Sequence, residues 1–247
     1  MPSPSAPAGK MALLGVLALQ LGLAVFLWTR PPSPSGGYGP EGLPVGPPGP
    51  GGGSPRPMGP QPPSEILQSY LDPQRDQWQG TATIMDELDF RPGQVVADIG
   101  AGSGYFTCRI ARAVAPTGKV YAVDIDPAAI DFMRNRLAGD AGLADIKENV
   151  ELVSSRPDDV TLPQGVLDWG FICRVHFTDN EDTLRCLESL RRALKPDGRV
   201  AVIEWRQAQG GEFVSSQDVR RPFLKAGFKL QKELENLPQD YFLIFSR

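Results

Sequence analysis

The run VVADIGAGSGYFT, Val95 to Thr107, sets an acid, Asp98, just ahead of three alternating glycines, Gly100, Gly102 and Gly104, with Ala101 and Ser103 between them. Glycines at this spacing let a backbone turn tightly and approach a ligand closely. A helix starting behind them offers free N–H groups and the positive end of a dipole. The pattern is G-x-G-x-G. The dinucleotide fingerprint G-x-G-x-x-G would need its third glycine where Tyr105 stands. Asp98 would also set a carboxylate beside a pyrophosphate. Both features disfavour a nicotinamide dinucleotide, and an ammonium or sulfonium ligand suits the acid better.

Further candidates lie downstream. Asp124 ends the run VYAVD, 24 residues after Gly100, where an acid can accept hydrogen bonds from both ribose hydroxyls. Asp126, before Pro127, reads as a helix cap instead. In SSRPDD, Asp158 or Asp159 can receive an adenine amino group or simply face solvent. His176 is the sole histidine of the chain. Its ordinary pKa suits a general base; the alternative is a loop histidine satisfied by backbone. Tyr105 either lines the ligand pocket or packs helix on sheet, and Trp78 either folds over the ligand or packs in the core. The three cysteines, Cys108, Cys173 and Cys186, form no C-x-x-C pair, so they read as buried thiols rather than a disulfide frame or a metal site.

These residues need a scaffold, and the apolar pattern supplies one. Asp72-Pro73 reads as a cap with proline at the first helical position, leading an amphipathic helix through Trp78, Ile84, Met85 and Leu88. Strands are expected at Val95–Ile99, Lys119–Asp124, Val150–Val153, Leu167–Cys173 and Val200–Trp205, although Gly170 weakens the fourth. Helical spacing falls between them, at Phe106 to Val114, Ile130 to Leu137 and Leu184 to Leu194. A last helix, Ser216 to Lys225, precedes a closing hairpin of Phe228–Leu234 and Tyr241–Ser246. Strands alternating with helices predict right-handed crossovers and a largely parallel α/β sheet with helices on both faces. Such sheets bind ligands at the carboxyl ends of their strands, which is where the glycine turn falls.

The turn, VYAVDIDP, LKPDGR and the closing AGF…YFLIFSR resemble the class I S-adenosylmethionine-dependent methyltransferases, in particular a bacterial small-molecule branch that contains quinone methyltransferases. The resemblance covers Gln77 to Arg247. It implies a Rossmann-like seven-stranded sheet of order 3-2-1-4-5-7-6 with strand seven antiparallel, and S-adenosyl-L-methionine as cofactor. It places Asp98, Gly100, Ala101, Gly102, Ser103, Gly104 and Tyr105 about the methionine end, Asp124 and the adjacent Ile125 at the ribose, and Asp158 near the adenine. His176 falls beside the expected methyl position. The chain lacks the Asn-Pro-Pro element of relatives that methylate nucleobases or glutamine amides. Arg174 stands where relatives often carry an acid. That departure underlies a second reading, a noncatalytic S-adenosylmethionine-binding module of the same fold.

Composition divides the rest. Between Pro31 and Pro63, 23 of 33 residues are Pro or Gly, with no period of three, so 29–63 reads as a disordered linker rather than collagen. A net +2 before residue 64 leaves −6 for the folded part, 64–247, which argues against a nucleic-acid partner. After a tail, 1–10, the stretch Met11–Trp28 runs 18 residues without a formal charge. As a helix it would rise about 27 Å, close to the hydrocarbon thickness. It is expected to be a single-pass anchor, with a cleaved export signal as the alternative. The tether would reach on the order of 30 Å, so a small-molecule or lipid-like acceptor at the membrane is expected. A domain that uses a cytosolic cofactor should face the cytoplasm.

Overall fold

The structure, a computed structural model, describes residues 63–175, 177–206, 215–234, 237 and 239–247. The expected anchor, Met11–Trp28, the linker up to residue 62 and His176 lie outside them.

Two apolar faces on one sheet organise the chain. Strands β1 (Val95–Ile99), β2 (Lys119–Asp124), β3 (Val150–Ser154), β4 (Leu167–Cys173), β5 (Leu194–Trp205), β6 (Lys229–Leu234) and β7 (Asp240–Ser246) form a seven-stranded sheet of order β3-β2-β1-β4-β5-β7-β6. The first five strands are parallel; β7 runs antiparallel to both β5 and β6. This is the expected topology.

Side chains alternate across each strand. Ala97, Ile99, Val123, Ile172, Val202, Leu243 and Phe245 join one core with residues of α6 (Glu181–Ala193) and α7 (Ser216–Lys225). Val96, Val120, Phe171, Ala201, Ile203 and Phe242 join the other, with α3 (Thr81–Leu88) and α4 (Tyr105–Val114). Helix α5 (Pro127–Gly139) lays Met133 against Ala122 and Ala101. Asp126 caps it as expected, its side chain accepting from the Ala128 N–H at 2.9 Å. Gly170 does not interrupt β4. A Cβ there would lie 3.3 Å from both Leu190 Cδ1 and Val200 Cγ2, so the glycine lets α6 press close to the sheet.

The segment before β1 differs from the expectation. Helix α1 (Pro63–Ser69) opens one residue ahead of the expected domain start. The single helix through Trp78 and Leu88 is two: α2 (Arg75–Trp78), then α3. Gly80, with φ 67°, breaks them, and Gln79 turns inward between them, fully buried. Asp72 does not cap α2. Its carboxylate accepts from the Gln74 N–H at 2.8 Å, in a turn ahead of that helix. The apolar spacing is continuous across the break, so periodicity alone could not mark it.

Candidate functional site

The glycine turn joins β1 to α4. Gly100, Gly102 and Gly104 all take left-handed backbone, at φ 74°, 55° and 77°, a region closed to most side chains. The Gly100 and Ala101 N–H groups both donate to Val123 O, at 2.7 and 3.0 Å. The Gly102 N–H donates to Asp124 Oδ2 at 2.7 Å, and the Gly104 N–H to Ala101 O at 2.9 Å. These four donors are consumed within the protein, whereas a diphosphate cradle needs them aimed at the ligand. The Ser103 hydroxyl is buried and has no partner among the described residues.

The acids are fixed about this turn. Asp124 is 8% exposed; besides Gly102, it accepts from the Asp126 N–H on Oδ1 at 3.0 Å. Each carboxylate oxygen takes more than one hydrogen bond, so Asp124 retains acceptor capacity. Asp98, buried, accepts from the Thr107 hydroxyl at 2.6 Å. Ile125 follows Asp124, half-buried. Asp158 sits elsewhere in character: its partly exposed carboxylate lies 3.5 Å from Arg156 Nε and 3.8 Å from Arg185 Nε. Asp159 instead accepts from the Thr161 N–H at 2.7 Å, closing its own loop.

Tyr105 starts α4 with its ring 3% exposed and its hydroxyl turned toward the segment before β1. That hydroxyl meets Thr81 Oγ1 at 2.9 Å and donates to Asp76. The guanidinium carbons of Arg109 and Arg75 lie 3.9 and 4.1 Å from the ring centroid. Asp76 also accepts from Arg109 at 2.8 Å. Burial, aided by the bond to Asp76, pushes the phenol up to about 12. Tyr105 therefore stays a neutral strut between α2 and the turn.

A second cluster gathers at the carboxyl ends of β4 and β5. Arg174, at φ 55° and 6% exposed, pairs in fork fashion with Asp240. Its Nε reaches Oδ1 at 3.1 Å and its Nη2 reaches Oδ2 at 2.9 Å. The guanidinium lies 4.6 Å from the Trp78 ring centroid and 4.1 Å from that of Trp205. Cys173 accepts from Gln79 Nε2 at 3.1 Å. Glu204 lines a small cavity with Val175, Phe177, Val202, Val219 and Phe223, and burial raises its carboxyl to about 7.

Sequence reading singled out Arg174 and Trp78 but missed Asp240, Trp205, Gln79 and Glu204. One signal was legible: acids at the end of β5 and the start of β7, next to long apolar runs, are unusual. Cys108, Cys173 and Cys186 are free and buried, as expected. Burial pushes the Cys173 and Cys186 thiols up to about 12 and raises Cys108 as well, so none is a thiolate nucleophile at neutral pH.

Comparison with known proteins bears on this arrangement. Residues 96–198 match a family model described as a methyltransferase domain. The ubiquinone/menaquinone biosynthesis C-methyltransferase UbiE of Vibrio cholerae serotype O1 is 33% identical over 117 residues, 47% of this chain and 42% of that protein. UbiE of Ectopseudomonas mendocina is 37% identical over 118 residues, 47% of this chain and 43% of that one. The chain thus spans less than half the length of these curated relatives. Among solved structures, a SAM dependent methyltransferase from Aquifex aeolicus superposes with a TM-score of 0.64 at 23% identity, over 75% of this chain and 98% of that one. The [4+2]-cyclase SpnF superposes with a TM-score of 0.54 at 12% identity, over 68% and 80%. At such identities the likeness is one of fold, and this fold carries more than one chemistry.

Proposed function

Since the chain belongs to the class I S-adenosylmethionine-dependent methyltransferases, we propose that it transfers a methyl group from S-adenosylmethionine to a small-molecule or membrane-associated acceptor. The observation that carries this reading is the closure of Asp124 onto the glycine turn. Its carboxylate holds the Gly102 N–H while the Gly100, Ala101 and Gly104 N–H groups are satisfied by backbone carbonyls. Such a turn suits a nucleoside with a cationic tail and is poorly suited to a diphosphate. The Ser103 hydroxyl, buried and without a partner among the described residues, adds a polar contact to the same crook.

In this reading Asp124 and Ile125 hold the ribose end, and Gly100, Ala101, Gly102, Ser103 and Gly104 curve around the methionine end with Asp98 and Tyr105 behind them. Asp158 is assigned to the adenine side, where its partly exposed carboxylate lies near Arg156 and Arg185. When bound, the cofactor supplies an already activated methyl group. The protein's task is then to align the acceptor, exclude water and favour the charge distribution of the transition state. His176 is assigned as the base for an acceptor that holds its proton. The UbiE relatives are named for quinone methylation, which supports a flat, lipid-like acceptor here.

The location is part of the proposal: Met11–Trp28 anchors the chain in a single pass, 29–63 tethers it, and the 64–247 domain works at the cytoplasmic surface. Among the described residues no helix is long and apolar enough to cross a membrane, so the proposal rests on the composition of the first 28 residues.

The test is incubation of the full chain with methyl-labelled S-adenosylmethionine and a membrane extract. A labelled small or lipid-like product is expected. Absence of S-adenosylhomocysteine binding by calorimetry would overturn the reading. Binding without turnover across broad acceptors would leave the noncatalytic module.

A further inference from the structure

Resting on the methyltransferase reading, we propose that Arg174, bracketed by Trp78 and Trp205, selects a methyl acceptor that carries an anionic oxygen. The position comes first. Strand order reverses between β1 and β4, and ligands of such sheets bind at that switch point. The glycine turn ends β1; Arg174 immediately follows β4. The residue lies where the acceptor end of a site begun at the glycine turn falls.

The chemistry comes second. Asp240 takes Nε and Nη2 of Arg174. The Nη1 edge has no hydrogen-bond partner among the described residues. Both indole rings lie against the guanidinium, and its Nη1 edge offers a ligand an in-plane hydrogen bond. The indole N–H groups of Trp78 and Trp205 are themselves buried and unpartnered among the described residues. Unmade donors in a buried place are costly. Here two of them stand beside a guanidinium with an unused edge. An oxygen acceptor satisfies such a set.

Charge decides between a neutral oxygen and an anionic one. Arg75 and Arg206 also act on Asp240, and Arg206 Nε donates to the Asp240 carbonyl at 3.2 Å. Three guanidinium groups therefore act on one buried carboxylate, Arg174 through direct hydrogen bonds. The other acid, Glu204, is held partly protonated near neutrality by its burial. Within a domain of net negative charge, arginines thus gather about Asp240. A charged oxygen gains a charge-assisted bond there in a site of low dielectric. Asp240 holds the fork in place.

The test uses the full chain with and without saturating S-adenosylhomocysteine. Three probes are titrated while tryptophan fluorescence and heat are read: 4-hydroxybenzoate, its uncharged analogue 4-hydroxybenzamide, and 4-nitrophenol above its own pKa. The expected result is a preference of about tenfold or more for the benzoate over the amide. The nitrophenolate arm tells whether a phenolate serves as well as a carboxylate. The double variant Arg174→Gln/Asp240→Asn, which removes both charges together, should abolish the preference and retain S-adenosylhomocysteine binding. Trp205→Phe should reduce the preference severalfold while keeping the ring. Equal affinity for acid and amide, no binding of any anionic probe, or a preference that survives in the double variant overturns the proposal. Failure of S-adenosylhomocysteine to bind the unaltered chain instead strikes the methyltransferase reading.

Discussion

Asp124 serves two roles that a single substitution separates. It ties down the Gly102 and Asp126 N–H groups, and in the proposed reading it holds the ribose. Asp124→Asn keeps one carbonyl oxygen for the backbone and loses the charge. Calorimetry should then show S-adenosylhomocysteine binding weakened by about 10- to 100-fold, the worth of hydrogen bonds to a charged group, with the melting temperature little changed.

Glu204 makes a pH prediction. An ordinary Glu titrates near 4.5, whereas the folded protein holds this one near 7. Between those values the native state keeps a proton that the unfolded chain has released. Stability must then fall as pH rises from about 4.5 to about 7, by at most roughly 3 kcal/mol. Arg174 and Asp240 act on the group in opposite senses, so both belong in the comparison. In Glu204→Gln this fall should vanish from chemical denaturation curves. An unchanged pH dependence would show that Glu204 does not carry a raised pKa.

At the scale of elements, the segment before β1 is held by side chains rather than by its own length. Helix α2 has four residues, too few to persist alone. Asp76 fastens it to Tyr105 and Arg109, Gln79 to Cys173 and Trp78 to Arg174. Asp76→Ala should cost about 1–2 kcal/mol and raise amide exchange through 70–80 before the rest of the domain responds. Uniform exchange across the domain would mean that this segment does not open on its own. The turn is the other sensitive element. At Gly104 a Cβ would lie 2.7 Å from Met133 Sδ, on a backbone at φ 77°. Gly104→Ala should therefore destabilise by roughly 1–3 kcal/mol, seen as a lower melting temperature, and displace α5 from the turn.

At the scale of the molecule, two cores share one sheet, and the candidate site sits at the carboxyl ends of its central strands. Covering both faces leaves the carboxyl ends as the open side, and this brings the glycine turn and the Arg174 cluster onto one rim. The anchor proposal belongs here too. After detergent-free fractionation the full chain should sediment with membranes and resist alkaline extraction, while a chain beginning at residue 63 should be soluble. A full chain found wholly in the soluble fraction would remove the surface-acting model without touching the site.

The amino-acid sequence by itself determined what depends on neighbours a few residues apart: the alternation of strand and helix, the glycine turn, the Asp126 cap, and Asp124 at a strand end. Propensity, periodicity and turn chemistry act over that range. The sheet order followed from the resemblance those short motifs carry. The tertiary structure alone decided the break at Gly80, because a buried Gln79 seeking Cys173 outweighs a continuous apolar stripe. It also decided the partners of Arg174. Asp240 lies 66 residues away and meets it only because β7 inserts beside β5, opposite to the direction of the other strands. No local pattern encodes such a pairing; it exists only once strand order has set which ends of the chain share a rim.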